Sequence, residues 1–198
     1  MKTGFIRKIP CRSLLITEAS ALLLILAMGF MSSCLSAREI HDSASDILLR
    51  AIPFYPQESY QCGPASLAMV MNYRNVLVKP EEIAEDIYSR SARGTLSLDM
   101  VLYAQHKGLS ALQYKGNLND LKKNIDSGNP LIVLVDYGFS FYQSAHFMVV
   151  VGYNEKGVIV NSGKMKEHFI PEKEFMKAWE KTNYWTLLIQ QRDTEHGA

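Results

Sequence analysis

The stretch that decides the fold is Gln57-Glu58-Ser59-Tyr60-Gln61-Cys62-Gly63-Pro64-Ala65-Ser66-Leu67. Pro64 fits the first position of a helix, because it has no N–H to lose and its φ is already helical. It also keeps Gly63 out of the α region, which predicts a turn just before the helix. Cys62 is then expected where unpaired N–H groups and the positive end of the helix dipole converge. These conditions lower the pKa of a thiol, so the stretch predicts a reactive thiolate.

A thiolate needs a base to form a nucleophilic site, and His146 is the best candidate in the chain. It begins a predicted strand in which alternation places His146, Met148 and Val150 on one face. Taken alone, a histidine at this position is also compatible with a satisfied residue at the edge of a sheet. Its location at a strand end beside the first helix favours a role as the base for Cys62.

The imidazole also needs a third group that accepts a hydrogen bond from its second ring nitrogen. Asn161 is our first candidate, because adjacent antiparallel strands would bring it next to His146. A turn residue in Asn161-Ser162-Gly163 is the alternative interpretation of this asparagine. Asp136, at the end of the preceding strand, is the second candidate for the orienting role.

Gln57 is the candidate for holding the negative oxygen of a tetrahedral intermediate, together with the backbone N–H of Cys62. Gln61 competes for this role, but a residue adjacent to the nucleophile is expected to point elsewhere. No group of cysteine, histidine or carboxylate residues has the spacing of a metal site, and the sequence has no P-loop or dinucleotide fingerprint. We therefore expect neither a metal nor a cofactor.

The whole chain has 198 residues, of which 47% are hydrophobic, and this is enough for one ordinary globular core. Its formal net charge is +1, and no basic stripe with interleaved aromatic residues is present. These features give no indication of a nucleic-acid partner.

The N-terminus has the pattern of an export signal. A basic segment precedes an apolar run from Ala19 to Met31, which is shorter than the roughly 20 residues that span a bilayer. Small residues before Cys34 resemble the cleavage box of a bacterial lipoprotein. We therefore expect residues 1–33 to be a signal peptide and Cys34 to be the lipid-bearing first residue of an exported protein, held at the periplasm-facing membrane surface of the cell envelope. Ordinary cleavage after Ala37 is the alternative.

The cysteine count supports a special role for Cys62. Cys11 leaves with the signal peptide, and Cys34 is lipidated or removed. Cys62 is then the remaining thiol of the exported domain and cannot form an internal disulfide, which indicates a reactive or intermolecular thiol. A buried structural thiol is the alternative interpretation.

Periodicity divides the chain into a polar tether (34–51), a domain (52–191) and a short tail (192–198). The first half of the domain is predicted to be helical and the second half to be a meander of strands, which together make an α+β fold. The first predicted helix begins at Pro64, directly after Cys62 and Gly63. The other predicted helices cover about 80–88 and 98–106, run from about 117 or 119 to 128, and cover 171–179. The predicted strands cover 131–135, 146–153, 158–160, 168–170 and 184–190.

These motifs together resemble a known family. The segments Pro53–Gln57, Gln61–Ala68, Gly94–Leu96 and His146–Tyr153 are similar to those of bacteriocin-processing peptidases, which cleave after double-glycine leaders and are papain-like cysteine peptidases. The chain most resembles a stand-alone exported branch of this family, typically a lipoprotein. The similarity extends from about 52 to 190, so we expect a papain-like fold with a helical N-terminal half packed on an antiparallel sheet.

The resemblance implies that Cys62 is the nucleophile, His146 the general base and acid, and Gln57 the oxyanion donor of a peptidase acting on a peptide or protein substrate. Transporter-linked members carry Asp-Pro where this chain has Asn161-Ser162, and an asparagine orients the histidine in papain-like enzymes generally. Their glutamine also stands one residue further from the cysteine. The chain has no transporter or ATPase segment, so any export-system partner is expected to be a separate protein.

Two other functions remain open at this point. Phytochelatin-synthase-like enzymes share a Cys-Gly-x-Ala-Ser-Leu stretch and transfer γ-glutamyl groups from glutathione. A lipoprotein that binds peptides without catalysis is the second alternative.

Overall fold

The computed structural model of this protein describes residues 46–57, 61–92, 94–139 and 144–192. In chain order, its elements are β1 (Ile47–Leu48), α1 (Cys62–Tyr73), α2 (Pro80–Ile87), β2 (Tyr88–Ser89), β3 (Gly94–Thr95), α3 (Ser97–His106), β4 (Leu109–Lys115), α4 (Leu118–Asp126), β5 (Leu131–Asp136), β6 (Ala145–Asn154), β7 (Gly157–Ser162), β8 (Met165–Pro171), α5 (Glu172–Glu180) and β9 (Trp185–Gln191). None of the helices in these ranges is long and apolar enough to cross a membrane.

One antiparallel sheet of seven strands organises the described residues, in the order β4-β9-β5-β6-β7-β8, while β1 pairs with β6. In its centre, β6 pairs with β5 through Val135 and His146 and with β7 through Val149 and Asn161. The strands β2 and β3 form a separate two-stranded pair. The start of β6, which carries His146, therefore lies inside the sheet with a paired strand on one side.

Helices cover both faces of the sheet. On one face, α1 is buried from Gly63 to Met71 and shares a core cluster with Val149 and Val151 of β6. On the other face, Phe175 of α5 packs with Met148 and Val150, which point the opposite way. Burial on both faces is what the continuous apolar run of β5 predicts. The predicted α+β fold, with helices packed on an antiparallel sheet, is confirmed.

Two strands of the sheet, β4 and β1, were not predicted from the sequence. β4 lies in the half of the domain predicted to be helical, although Leu109 and Ala111 alternate with exposed residues as a strand requires. Its partner is β9, far along the chain, so local patterns give no sign of the pairing. β1 lies in the segment predicted to be a tether, and its two residues pair with Gly152 and Tyr153 of β6.

The helix that carries the thiol begins earlier than predicted. α1 starts at Cys62, so Pro64 is its third residue and Gly63 is helical. This position tolerates proline, because the N–H groups of the first helical turn have no partner within the helix. The prediction of a turn at Gly63 is therefore wrong, whereas the helix itself is confirmed. Cys62 becomes the first helical residue, and its own N–H is one of the unpaired donors.

Gly63 lies against the strand β3 at very short range. A Cβ added to Gly63 would approach the Cβ of Thr95 to 2.8 Å and its Oγ1 to 3.0 Å. Atoms so close to the backbone of β3 cannot move away without shifting the strand. Glycine at position 63 therefore lets the N-terminus of α1 pack directly on β3.

We predict that Gly63→Ala lowers the free energy of unfolding by about 1–3 kcal/mol. The steric overlap of the new Cβ with Thr95 costs more than is gained from the smaller backbone entropy that alanine loses on folding. Urea denaturation measures this loss. Gly94→Ala is the matched control, since the nearest atom to its added Cβ is the carbonyl oxygen of Ala92 at 3.9 Å. Equal stabilities of the two variants would contradict the close packing. Thr95→Gly in the Gly63→Ala background should recover stability.

Candidate active site

Cys62 is a half-buried free thiol at the N-terminus of α1. Burial raises the pKa of this thiol above its ordinary value, and the backbone N–H groups of Phe147, Gly63 and Cys62 itself oppose that rise by hydrogen bonding to the sulfur. Two of these donors are the unpaired amides of the first helical turn, as the sequence predicts. The third amide, that of Phe147, belongs to β6, so this strand lies next to the sulfur.

The prediction of a resting thiolate is wrong, because burial of Cys62 outweighs the hydrogen bonds from the helix-end amides. The helix-end amides do lower the pKa of Cys62, but removal from water has the larger effect and raises it. The free protein therefore holds Cys62 mainly as a neutral thiol at neutral pH. A base must take the proton before the sulfur can attack.

His146 is the second residue of β6 and is half-buried. Its Nε2 lies 3.0 Å from the hydroxyl oxygen of Ser162. Burial lowers the pKa of His146 below its ordinary value, so the ring is largely neutral at pH 7. A neutral imidazole with Nε2 engaged keeps Nδ1 as the nitrogen available to a reacting group.

Cys62 and His146 are far apart in the sequence but lie near each other in the fold. The amide of Phe147 donates to the Cys62 sulfur, and Phe147 directly follows His146. Within the described residues, the sulfur and the imidazole form no hydrogen bond with each other. The arrangement therefore places a thiol beside the backbone of the histidine, while the ring itself contacts Ser162.

Asn161 occupies a different place from the one that the sequence suggested. It is 1% exposed and pairs across the ladder with Val149, on the face opposite to His146. Its Oδ1 accepts a hydrogen bond from the N–H of Glu167 at 2.9 Å. The side chain thereby closes the irregular turn between β7 and β8. In the described residues, no hydrogen bond links Asn161 to His146, and the imidazole contacts the neighbouring Ser162 instead.

Asp136 is also engaged elsewhere. Its Oδ1 accepts from the N–H of Gly138 at 2.7 Å and from that of Ser144 at 2.8 Å. The backbone N–H groups of Ser144 and Gly138 lower the pKa of this carboxyl, with a smaller contribution from the charge of Lys181. Asp136 therefore holds together the two ends of the β5–β6 connection. It stands opposite Ala145 in the ladder, one residue before His146.

Gln57 is buried between α1 and the end of β7. Its N–H donates to the carbonyl of Gly163 at 2.9 Å, and its Oε1 accepts from the N–H of the same residue at 3.1 Å. Its Nε2 donates to the hydroxyl of Ser66, one helical turn after Cys62, at 3.5 Å. Gln57 thus joins the nucleophile helix to the turn that follows Ser162. The amide nitrogen lies on the α1 side of this bridge.

Ser162 is the site residue that sequence reasoning missed. The available signal was strict alternation, because a ladder that pairs Val149 with Asn161 points Ser162 to the His146 face. Using it would have required the register of β6 against β7, which the sequence leaves open. Cys34, the predicted lipid-bearing residue, lies outside the described residues. Among those residues, no group of three or more His, Cys, Asp or Glu side chains could hold a metal ion.

Comparison with known proteins adds to this geometry. A sequence model of the family described as Peptidase_C39 like matches residues 49–186 of the chain. An uncharacterized protein of Methanothermobacter thermautotrophicus is 36% identical over 100 residues, which are 50% of this chain and 63% of that protein. The chain thus spans less than two thirds of the length of the curated relatives that it matches.

Solved structures share the fold. A protein described as a C39-like peptidase from Bacillus anthracis superposes with a TM-score of 0.64 at 16% identity, over 75% of this chain and 98% of that one. A double-glycine motif protease from an AMS/PCAT transporter, solved in complex with the leader peptide, gives a TM-score of 0.57 at 28% identity. This second match covers 71% of this chain and 91% of the other. The fold is therefore that of papain-like peptidase domains.

We predict that alkylation of Cys62 by iodoacetamide in the substrate-free, full-length protein accelerates with pH up to and beyond pH 9. A raised pKa makes the thiolate fraction at pH 7 smaller than in free cysteine, whose pKa is about 8.5. Peptide mass spectrometry at several pH values gives the rate at this cysteine, with N-acetylcysteine as the control. A rate that is already constant between pH 5 and 7 would mean a preformed thiolate and contradict the effect of burial.

Proposed function

Since this chain belongs to the Peptidase_C39-like family, we propose that it is a cysteine peptidase in which Cys62 is the nucleophile and His146 the general base and acid. The observation that carries the proposal is the approach of the Phe147 backbone amide to the Cys62 sulfur. It brings the thiol next to the strand end that bears the histidine. Because the His146 side chain lies on the face of β6 opposite to the α1 face, the proposal has the thiol and the ring meet at the end of the strand, where Phe147 lies against the sulfur.

The reaction begins with a proton transfer. As substrate binds, the Cys62 thiol gives its proton to Nδ1 of His146, and the sulfur forms a bond with the carbonyl carbon of the scissile peptide. The π electrons of the carbonyl move to its oxygen, which becomes an oxyanion. The neutral state of the buried histidine supports this step, because an unprotonated ring can accept a proton at neutral pH.

The remaining steps return every group to its starting state. The oxyanion reforms the carbonyl, the C–N bond breaks, and the leaving amine takes the proton from Nδ1. A water molecule then gives a proton to Nδ1 while its oxygen attacks the thioester carbon. The C–S bond breaks, the carboxylic product leaves, and the sulfur recovers its proton from His146. This sequence is peptide hydrolysis through an acyl-enzyme.

Gln57 is the oxyanion donor in this proposal, acting together with the Cys62 N–H. Its burial and the contact of its Nε2 with Ser66 support the role, because they fix the amide one helical turn from the nucleophile. The N–H of Gly163 donates to Oε1 and holds the other side of the side-chain amide, while the backbone N–H of Gln57 donates to the carbonyl of Gly163. Such fixed donors are what electrostatic stabilisation of a transition state needs.

The proposed substrate is a peptide or protein with small residues before the scissile bond. The similar transporter protease is a double-glycine motif protease solved with a leader peptide, which supports this substrate class. The proposed partner is an export-system protein. A γ-glutamyl transfer from glutathione and peptide binding without cleavage are the competing functions.

We predict that the full-length protein in detergent cleaves synthetic peptides after Gly-Gly, that Cys62→Ala abolishes the cleavage, and that His146→Ala lowers kcat about 10²–10⁴-fold. Mass spectrometry identifies the cleaved bond. His168→Ala, at an exposed position on β8, is the matched control and should keep full activity. Cleavage that survives Cys62→Ala would refute the assignment. Release of glycine from glutathione would favour the transferase instead, and binding without cleavage would favour the non-catalytic protein.

The proposed location is the cell envelope, with Cys34 carrying the lipid of an exported bacterial lipoprotein. We predict that the wild-type protein incorporates radiolabelled palmitate and sediments with membranes, whereas Cys34→Ala loses both properties. Cys11→Ala serves as the control, because Cys11 lies in the predicted signal peptide. Equal fractionation of the wild-type protein and Cys34→Ala would favour ordinary cleavage after Ala37 over lipidation.

A further inference from the structure

The contact between Ser162 and His146 is short and shielded from water. The two polar atoms, Oγ and Nε2, are 3.0 Å apart, and Ser162 is 7% exposed. A hydrogen bond removed from solvent constrains the ring more than an exposed one, because water offers little competition for either partner. Nothing in the reaction as proposed above uses this hydroxyl, although it touches the base directly.

The strand register selects Ser162 for this contact. Because Val149 pairs with Asn161, the residue on the His146 face of β7 is Ser162, and the asparagine points to the other face. The pairing of β7 with β8 is irregular between Val160 and Ser162, so Asn161 drops out of that ladder. Its amide then binds Glu167 instead. Two neighbouring residues of β7 thus make different contacts: Ser162 contacts His146, and Asn161 binds Glu167.

The turn that follows Ser162 is held at two points. Gln57 donates its N–H to the carbonyl of Gly163 and accepts from the N–H of Gly163 with its side chain. The same glutamine reaches Ser66 in α1. A continuous set of contacts therefore runs from the nucleophile helix through Gln57 and Gly163 to Ser162. The hydroxyl that meets the histidine is fixed relative to the helix that carries the thiol.

The chemistry of a hydroxyl defines what this contact can do. When Nε2 carries the proton and donates it to Ser162, Nδ1 keeps its lone pair for the thiol. A hydroxyl has no charge, so it sets the tautomer and direction of the ring without the attraction that a carboxylate exerts on an imidazolium. The neutral histidine and the neutral thiol described above agree with such an uncharged partner.

We propose that Ser162 is the positioning residue of the site, holding His146 as the Nε2–H tautomer with Nδ1 free to exchange a proton with Cys62. The proposal rests on the proposed peptidase function for its meaning in catalysis. The contact itself, however, is a property of the folded protein and can be measured without any substrate.

The test is ¹⁵N NMR of the imidazole in the full-length protein, which distinguishes the two neutral tautomers and follows the ring through its titration. The sequence contains five histidines, and His146→Ala identifies the signal of interest by its loss. Ser162→Ala removes the hydroxyl, Ser162→Thr keeps it, and Ser162→Asp replaces it with a carboxylate. Asn161→Asp is the matched control, because it places the same carboxylate on the opposite face and retains an acceptor for Glu167.

We expect the Nε2–H form to dominate in the wild-type protein and in Ser162→Thr, and to lose its preference in Ser162→Ala. Ser162→Asp should raise the pKa of His146 by about 1–3 units, while Asn161→Asp leaves it near the wild-type value. In the peptide assay, Ser162→Ala should lower kcat at least about tenfold with little change in KM.

An unchanged tautomer in Ser162→Ala would overturn the proposal, and so would a shift caused by Asn161→Asp but not by Ser162→Asp. Should Ser162→Ala fail to fold, the comparison of Ser162→Asp with Asn161→Asp decides the same question. A tautomer that depends on Ser162 in a protein that cleaves no peptide would uphold the positioning role and reject the proposed function. The positioning role of Ser162 and the proposed peptidase function are therefore tested independently.

Discussion

The close packing of the N-terminus of α1 is the constraint on which the site depends. Gly63 allows α1 to lie against the separate β2–β3 pair, because its missing Cβ leaves room for Thr95. The same helix also packs on β6 of the large sheet, whose Phe147 amide approaches the sulfur of Cys62. A larger residue at position 63 would separate the helix from β3 and displace the thiol. The position of the nucleophile thus follows from backbone packing more than from any bond made by its own side chain.

This packing also sets the protonation of the two reacting groups. Burial favours the neutral form of both the thiol and the imidazole, so it raises the pKa of Cys62 and lowers that of His146. The unpaired amides at the helix end reduce the effect on the thiol without reversing it. Burial therefore favours the neutral form of both groups in the free protein, and the proposed mechanism moves the proton from Cys62 to His146 when substrate binds.

The sequence indicated the local parts of this arrangement and left its long-range parts open. The helix at Cys62 and the strand of His146 were predictable, because Pro64 and the alternation of apolar residues are local signals. β4 was missed because its pairing with β9 joins distant segments. Ser162 was missed because the register of β6 against β7 and the irregularity in the β7–β8 ladder are set by tertiary packing. A shift of one residue exchanges the two faces of a strand.

An experimental structure of the full-length protein with a peptide aldehyde bonded to Cys62 tests the central claim most directly. The account predicts that Nδ1 of His146 lies within hydrogen-bond reach of the sulfur or of the bound oxygen, while Nε2 remains on the hydroxyl of Ser162. An imidazole separated from the adduct by packed side chains, or bound through Nε2 to Asn161 instead, would contradict it.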